Sequence, residues 1–172
     1  MLVWVLSAVG APLVYAAHTG GGLGFRLESS AGVVEGQADV FTATLDLTAG
    51  TGAVVVDATS LATGYGPRDQ RMLVFALDVA TFPELRFDVQ RVVRGGEGEE
   101  GPITLHGTLL LHGVAMPLSV PALVSREGDN LRLRGEVPLV LADHGIPDPS
   151  VLVARVSPTV LVTFDLLGAP SP

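Results

Sequence analysis

Cysteine and lysine are both absent from the 172 residues. Without thiols there is no disulfide, no thiolate metal ligand and no thiol nucleophile. A domain of this length can bury enough apolar surface to stand without staples, so the missing cysteine leaves the compartment open. All ten basic residues are Arg, set against 18 acidic ones for a formal charge of −8. Those Arg are scattered, and no basic stripe exists to track phosphates. The pattern excludes nucleic acid as a partner and disfavours anionic membrane surfaces. Aromatic residues are also scarce: six Phe, two Tyr and one Trp are too few for the two girdles of an outer-membrane barrel. Residues 1–17, MLVWVLSAVGAPLVYAA, are apolar, but Pro12 breaks the run and no Arg precedes it, so it makes a poor membrane span. Val14-Tyr15-Ala16 nevertheless has small or branched residues where a signal peptidase reads. Two readings stand: a signal segment, or a first strand that begins at Leu13 to Ala17.

What is present points to one folded unit. Hydrophobic residues make up 48% and charged residues 16%, which excludes disorder. Apolar and polar residues alternate almost everywhere after residue 24. Phe25, Leu27 and Ser29 oppose Arg26 and Glu28; Phe41, Ala43, Leu45 and Leu47 oppose Thr42, Thr44 and Asp46; Val54, Val56 and Ala58 share a face. The rhythm returns at Leu85-Phe87-Val89, at Ile103 to Leu111, at Leu118 to Val124, at Leu131 to Leu141 and at Val160 to Leu166. A period of two gives strands with one buried and one wet face. Gly-rich or polar turns separate the runs at 48–52, 95–101 and 127–130, and Pro121 suggests an edge or a bulge. Only 67–82, PRDQRMLVFALDVATF, breaks the alternation. Pro67 suits a first helical position, and Met72, Phe75 and Val79 fall at helical spacing, which predicts a short helical insertion.

The fold class is therefore all-β, an antiparallel sheet of about eight strands whose edges are removed by closing into a barrel. A sandwich would show the same alternation. The inward set of Leu, Val, Ile and Phe would favour a hydrocarbon-like guest in any hollow. It could equally be a filled core. Small residues on those faces (Ala43, Ala58, Gly107, Ala122, Gly135) favour unfilled volume.

Val56-Asp57-Ala58-Thr59-Ser60-Leu61-Ala62-Thr63-Gly64, then Arg68-Asp69, Phe82-Pro83 and Phe87, resemble the YceI-like family in order and spacing. So do Ile103 to Val114 with Pro117, and Gly32-Val33-Val34-Glu35-Gly36 before the Phe41 to Leu47 strand. The likeness covers about His18 to Gly168. It implies an extended, lipocalin-like, eight-stranded barrel over 18–169 that holds a polyisoprenoid or other lipid-like chain, in a protein exported to the periplasm or secreted. Two departures are visible. His18-Thr19 stands seven positions before Phe25 where the family has about five, with Gly20 to Gly22 between. His144 stands before Gly145 where the family usually has an aromatic.

Catalytic arrangements are missing from the pattern. No Ser sits in a nucleophile elbow, the carboxylates of 97–100 read as solvated charge, and the Gly-rich stretches lack the helix and Lys of a phosphate cradle. His18, His106, His112 and His144 have no metal-ligand spacing; His106 and His112 would lie roughly 20 Å apart on a straight strand. Arg68 and Asp69 carry two readings. Arg68 could meet a ligand headgroup at the barrel mouth, or Asp69 could cap the helix while Arg68 ties the insertion to the barrel. The expectation is a non-enzymatic carrier of a long-chain apolar lipid, polyisoprenoid or quinone-like. Its contacts are Phe25, Leu45, Val54, Val56, Phe75, Phe87, Leu105, Leu109, Leu139, Phe164 and Arg68. No cofactor and no metal are expected, membranes are met only transiently if at all, and a homodimer is compatible. The competing expectation is an interaction domain with a filled core and no ligand.

Overall fold

The computed structural model describes residues 13–151 and 154–170. Ten antiparallel strands are present: β1 (Leu13–Ser29), β2 (Gly32–Ala38), β3 (Phe41–Asp46), β4 (Thr51–Asp57), β5 (Leu61–Ala62), β6 (Glu84–Arg94), β7 (Gly101–Leu111), β8 (Val114–Glu127), β9 (Asn130–Val140) and β10 (Val156–Pro170). Neighbours run β10-β9-β8-β7-β6-β4-β3-β1, and β1 pairs back onto β10. Eight strands thus form the expected ring. The two additional ones, β2 and β5, extend the β1 end of the sheet as a flap.

The ring is closed unequally. Among the described residues β1 meets β3 at Leu13, Val14 and Tyr15, whereas its Leu23–Ser29 half turns away to pair with β2. The sheet is therefore curled tightly at one end and open along one side at the other. β1 can serve three neighbours because it is long and broken. Its register on β10 jumps from Ala17↔Leu166 to Gly22↔Asp165. The Gly20–Gly22 run falls at this bulge, which absorbs the extra spacing between His18 and Phe25. The side chain of His18 lies outside those described, as do residues 1–12 of the apolar N-terminal segment; Leu13 to Ala17 begin β1.

Alternation does what the period predicts. In β7, Ile103, Leu105, Gly107, Leu109 and Leu111 are all buried, while Leu110 on the other face is exposed. The outward rows carry ion pairs: Arg132 clamps Asp165 at 2.7 and 2.9 Å and reaches Glu127 at 2.6 Å, and Arg134 meets Asp165 at 3.1 Å. Pro121 lies within β8, opposite Thr104 of β7, at the point where the β8–β9 ladder stops. It is an edge position towards β9, as its missing N–H requires.

The insertion is helical but shorter than the run 67–82. α1 (Gly66–Arg71) has Pro67 in its first turn and passes into a π-helical turn, Met72–Ala76. The backbone then leaves helix at Leu77, and Asp78 takes a φ of 44°, which ends it. The buried core is one cluster, part of which lines the cavity and part of which fills the tightly closed end. Leu13, Tyr15, Ala43, Leu45, Val89 and Ile103 pack at that end near the Asp46–Thr51 turn.

Candidate ligand-binding cavity

A cavity of about 850 Å³ occupies the other half of the barrel. That is within the range of roughly 300–1,000 Å³ typical of ligand sites. Its wall is built strand by strand. β1 gives Phe25, β4 gives Val54 and Val56, β6 gives Phe87, β7 gives Leu105 and Leu109, β9 gives Leu139 and β10 gives Phe164. At the mouth stand Arg68 and Phe75 of the insertion, and Phe75 keeps 69% of its surface exposed. Leu45 is not on this wall. It is inward-facing as the alternation requires, but its level on β3 places it in the packed closed end. Parity along a strand tells which face a residue occupies, not how far up the barrel the hollow reaches.

The small residues read as the source of the hollow do not themselves border it. None of Ala43, Ala58, Gly107, Ala122 and Gly135 lines it. The space at the two glycines is already used: the Phe164 ring lies over Gly135, its cross-strand partner, and the Phe87 ring lies over Gly107. Phe25 covers Gly36 in the same way, and Tyr15 covers Gly168. A glycine opposite an aromatic lets the ring fold down onto the strand, an arrangement that also helps a weak glycine position. Phe25, Phe87 and Phe164 therefore lie against the wall instead of filling the centre. Large side chains thus coexist with a cavity.

Sequence reasoning missed a large part of the mouth. Arg71, Met72 and Leu77 of the insertion, Val34, Ala38 and Leu61 of the flap, and Ile146, Pro147, Val151 and Ala154 of the segment before β10 all line it. None of these belongs to a long alternating run, so no period announced their direction.

Polar groups are few and sit at the rim. Thr63, just after β5, is the hub. The Asp69 carboxylate accepts from the Thr63 backbone N–H at 2.8 Å and also from its hydroxyl. Arg68 Nε donates to Thr63 Oγ1 at 2.8 Å, and its Nη2 to the Thr63 carbonyl at 3.3 Å. Asp69 is therefore not a helix cap; α1 begins at Tyr65 with no side-chain cap bond. Instead Asp69 staples the insertion to the flap. The hydroxyl of Thr63 holds its carboxyl below the usual carboxylate range, with help from backbone donors and the Arg68 charge against partial desolvation. Arg68 both anchors the insertion and faces the cavity.

The histidines serve the wall. His106 Nδ1 and Ser119 Oγ lie 2.8 Å apart on neighbouring strands. His112, at φ 52°, turns β7 into β8, stacks on Phe82 at 4.7 Å and reaches the His144 carbonyl with Nδ1 at 3.2 Å. His144 is buried, not solvent-facing, and its Nδ1 has no hydrogen-bond partner among the described residues. Among the described residues no three His, Asp or Glu gather as a metal site requires.

Comparison with known proteins agrees with this fold. The model of the YceI-like domain matches residues 16–167. The chain belongs to the YceI-like family. Among solved structures, this YceI-like domain is similar to a polyisoprenoid binding domain from Saccharophagus degradans implicated in plant cell wall breakdown. The TM-score is 0.76 at 23% identity, over 94% of this chain and 99% of that one. Burkholderia cenocepacia BcnA gives a TM-score of 0.76 at 17% identity, over 87% and 96% of the two chains. The Campylobacter jejuni YCEI protein gives 0.65 at 16%, over 81% and 85%. No curated protein matches the chain. At such identities the likeness establishes the fold; what fills the cavity is a matter for its chemistry.

Proposed function

We propose that this YceI-like domain is a carrier that holds a long-chain apolar lipid, polyisoprenoid or quinone-like, inside its barrel for transport, storage or sequestration. The observation that carries this reading is the hollow itself, an apolar space of about 850 Å³ reaching an exposed mouth. Binding is by partition. Each methylene moved from water to the wall contributes about 0.8 kcal/mol, so a long tail supplies most of its own affinity. Wall residues Phe25, Val54, Val56, Phe87, Leu105, Leu109, Leu139 and Phe164 supply the apolar contacts, the guest enters over Phe75, and Arg68 stands where the tail would end. The similarity to a polyisoprenoid binding domain supports the same class of guest. The predominantly apolar lining suits a binding role. Export to the periplasm or outside the cell fits a carrier that shuttles such a lipid between membranes.

The test is titration of a fluorescent long-chain probe into the purified protein. The wild type takes up about one probe per barrel. Leu109→Arg places a charge on the wall and abolishes uptake, with circular dichroism reporting that the strands persist. Phe75→Asp, at an exposed position, weakens uptake without touching the core. A wild-type protein that leaves the probe in water, or a folded Leu109→Arg that binds it unchanged, overturns the reading.

A further inference from the structure

We infer that the guest ends in an oxyanion, and that Arg68 and Arg71 hold this headgroup at the mouth. The inference rests on the cavity being a lipid site and adds the class of headgroup. Both Arg belong to α1, three positions apart, which places them on one face of the helical turn. Both line the cavity. Neither makes a salt bridge among the described residues, although the chain carries 18 acidic residues. The contrast with other cations of the barrel is direct: Arg86 is paired with Asp88 at 2.9 Å, and Arg132 with Asp165 at 2.7 Å.

Arg68 is held without a direct ion pair. Its anchor is the hydroxyl and carbonyl of Thr63, and its guanidinium carbon lies 5.6 Å from the centre of the Tyr65 ring. These contacts fix its direction while leaving its Nη1 donors without a protein partner among the described residues. The neighbouring carboxylate, Asp69, feels the Arg68 charge through the shared Thr63 hydroxyl but forms no direct ion pair with it. Arg71 is exposed and has no hydrogen-bond or ion-pair partner among the described residues. Asp148, across the mouth, is the carboxylate among the lining residues; it accepts from the Ser150 backbone N–H at 2.8 Å and feels the charge of Arg155.

The physical consequence follows. An apolar wall cannot choose between headgroups, and a chain of net charge −8 repels an anion at long range. The partnerless Arg71 and the unused Nη1 edge of Arg68 reverse that preference locally and set the orientation, tail inward and head outward. A phosphate and a carboxylate share the required chemistry. Hydrogen bonds to a charged group support a preference of about tenfold to hundredfold over a neutral head.

Displacement of the apolar probe by matched pairs tests this: farnesyl phosphate against farnesol, and palmitate against hexadecanol, with inorganic phosphate alone as a third arm. The anionic member binds at least about tenfold tighter than its alcohol, and this advantage shrinks as salt rises. It falls in Arg71→Gln, which breaks no protein contact, and is lost in Arg68→Gln/Arg71→Gln. Inorganic phosphate displaces nothing, because the affinity needs the tail. Alcohols and anions binding equally, an advantage undiminished in Arg71→Gln, or displacement by phosphate alone would each overturn the headgroup assignment while leaving the lipid cavity standing. Failure of every chain to displace or bind would strike the cavity reading itself.

Discussion

Tyr15 shows what the closed end of the barrel costs. Its ring is 3% exposed and covers Gly168, yet its hydroxyl has no hydrogen-bond partner among the described residues. Burial pushes its pKa up to about 12. The neutral form is favoured in the fold, so the contribution is intact below about pH 10 and is lost as pH rises through 12. Tyr15→Phe is expected to leave stability unchanged or raise it by about 1 kcal/mol, because an unsatisfied polar group disappears. It should also remove the part of alkaline unfolding that follows tyrosinate absorbance. Asp69 works in the opposite direction. Its carboxyl is held low by Thr63, so the staple is complete at neutral pH and weakens as pH falls through the depressed value. Hydrogen exchange of residues 63–76 should accelerate on acidification in the wild type, and should be fast and nearly independent of pH in Asp69→Asn.

At the scale of elements, glycine opposite aromatic keeps the barrel hollow. The β6 strand bulges between Val89 and Arg91, and Gly107 of β7 faces this point so closely that a Cβ would run into the Asp88 carbonyl and the Phe87 ring. Gly107→Ala is expected to cost about 1–3 kcal/mol in urea denaturation, as overpacking does, and to push Phe87 towards the lumen. The same argument shows what the sequence could and could not say. Strand identity and inward face were legible because Ile103 to Leu111 or Val160 to Leu166 alternate without interruption, and the insertion was legible because Pro67 to Ala76 does not alternate. The level of Leu45 in the barrel was hidden, since shear and register set it through pairs such as Leu13↔Leu45. The use of Gly107 and Gly135 as seats for rings was hidden for the same reason. Asp69 looked like a cap because it follows Pro67 closely; only the fold brings Thr63 within its reach.

For the whole molecule, one asymmetry organises everything. One end is pinned by the short β1–β3 seam and filled by core side chains; at the other, β1 leaves for β2, and the helical insertion and the segment before β10 ring an open mouth. A carrier needs this division, a rigid base for stability and a less tightly paired rim for exchange of its guest. Native mass spectrometry of the freshly purified protein tests that claim most directly. The account predicts a population heavier than the polypeptide by one lipid, released on collisional activation and absent from Leu109→Arg. A wild-type protein that flies only at its bare polypeptide mass, and stays at that mass after incubation with long-chain lipids, would contradict it.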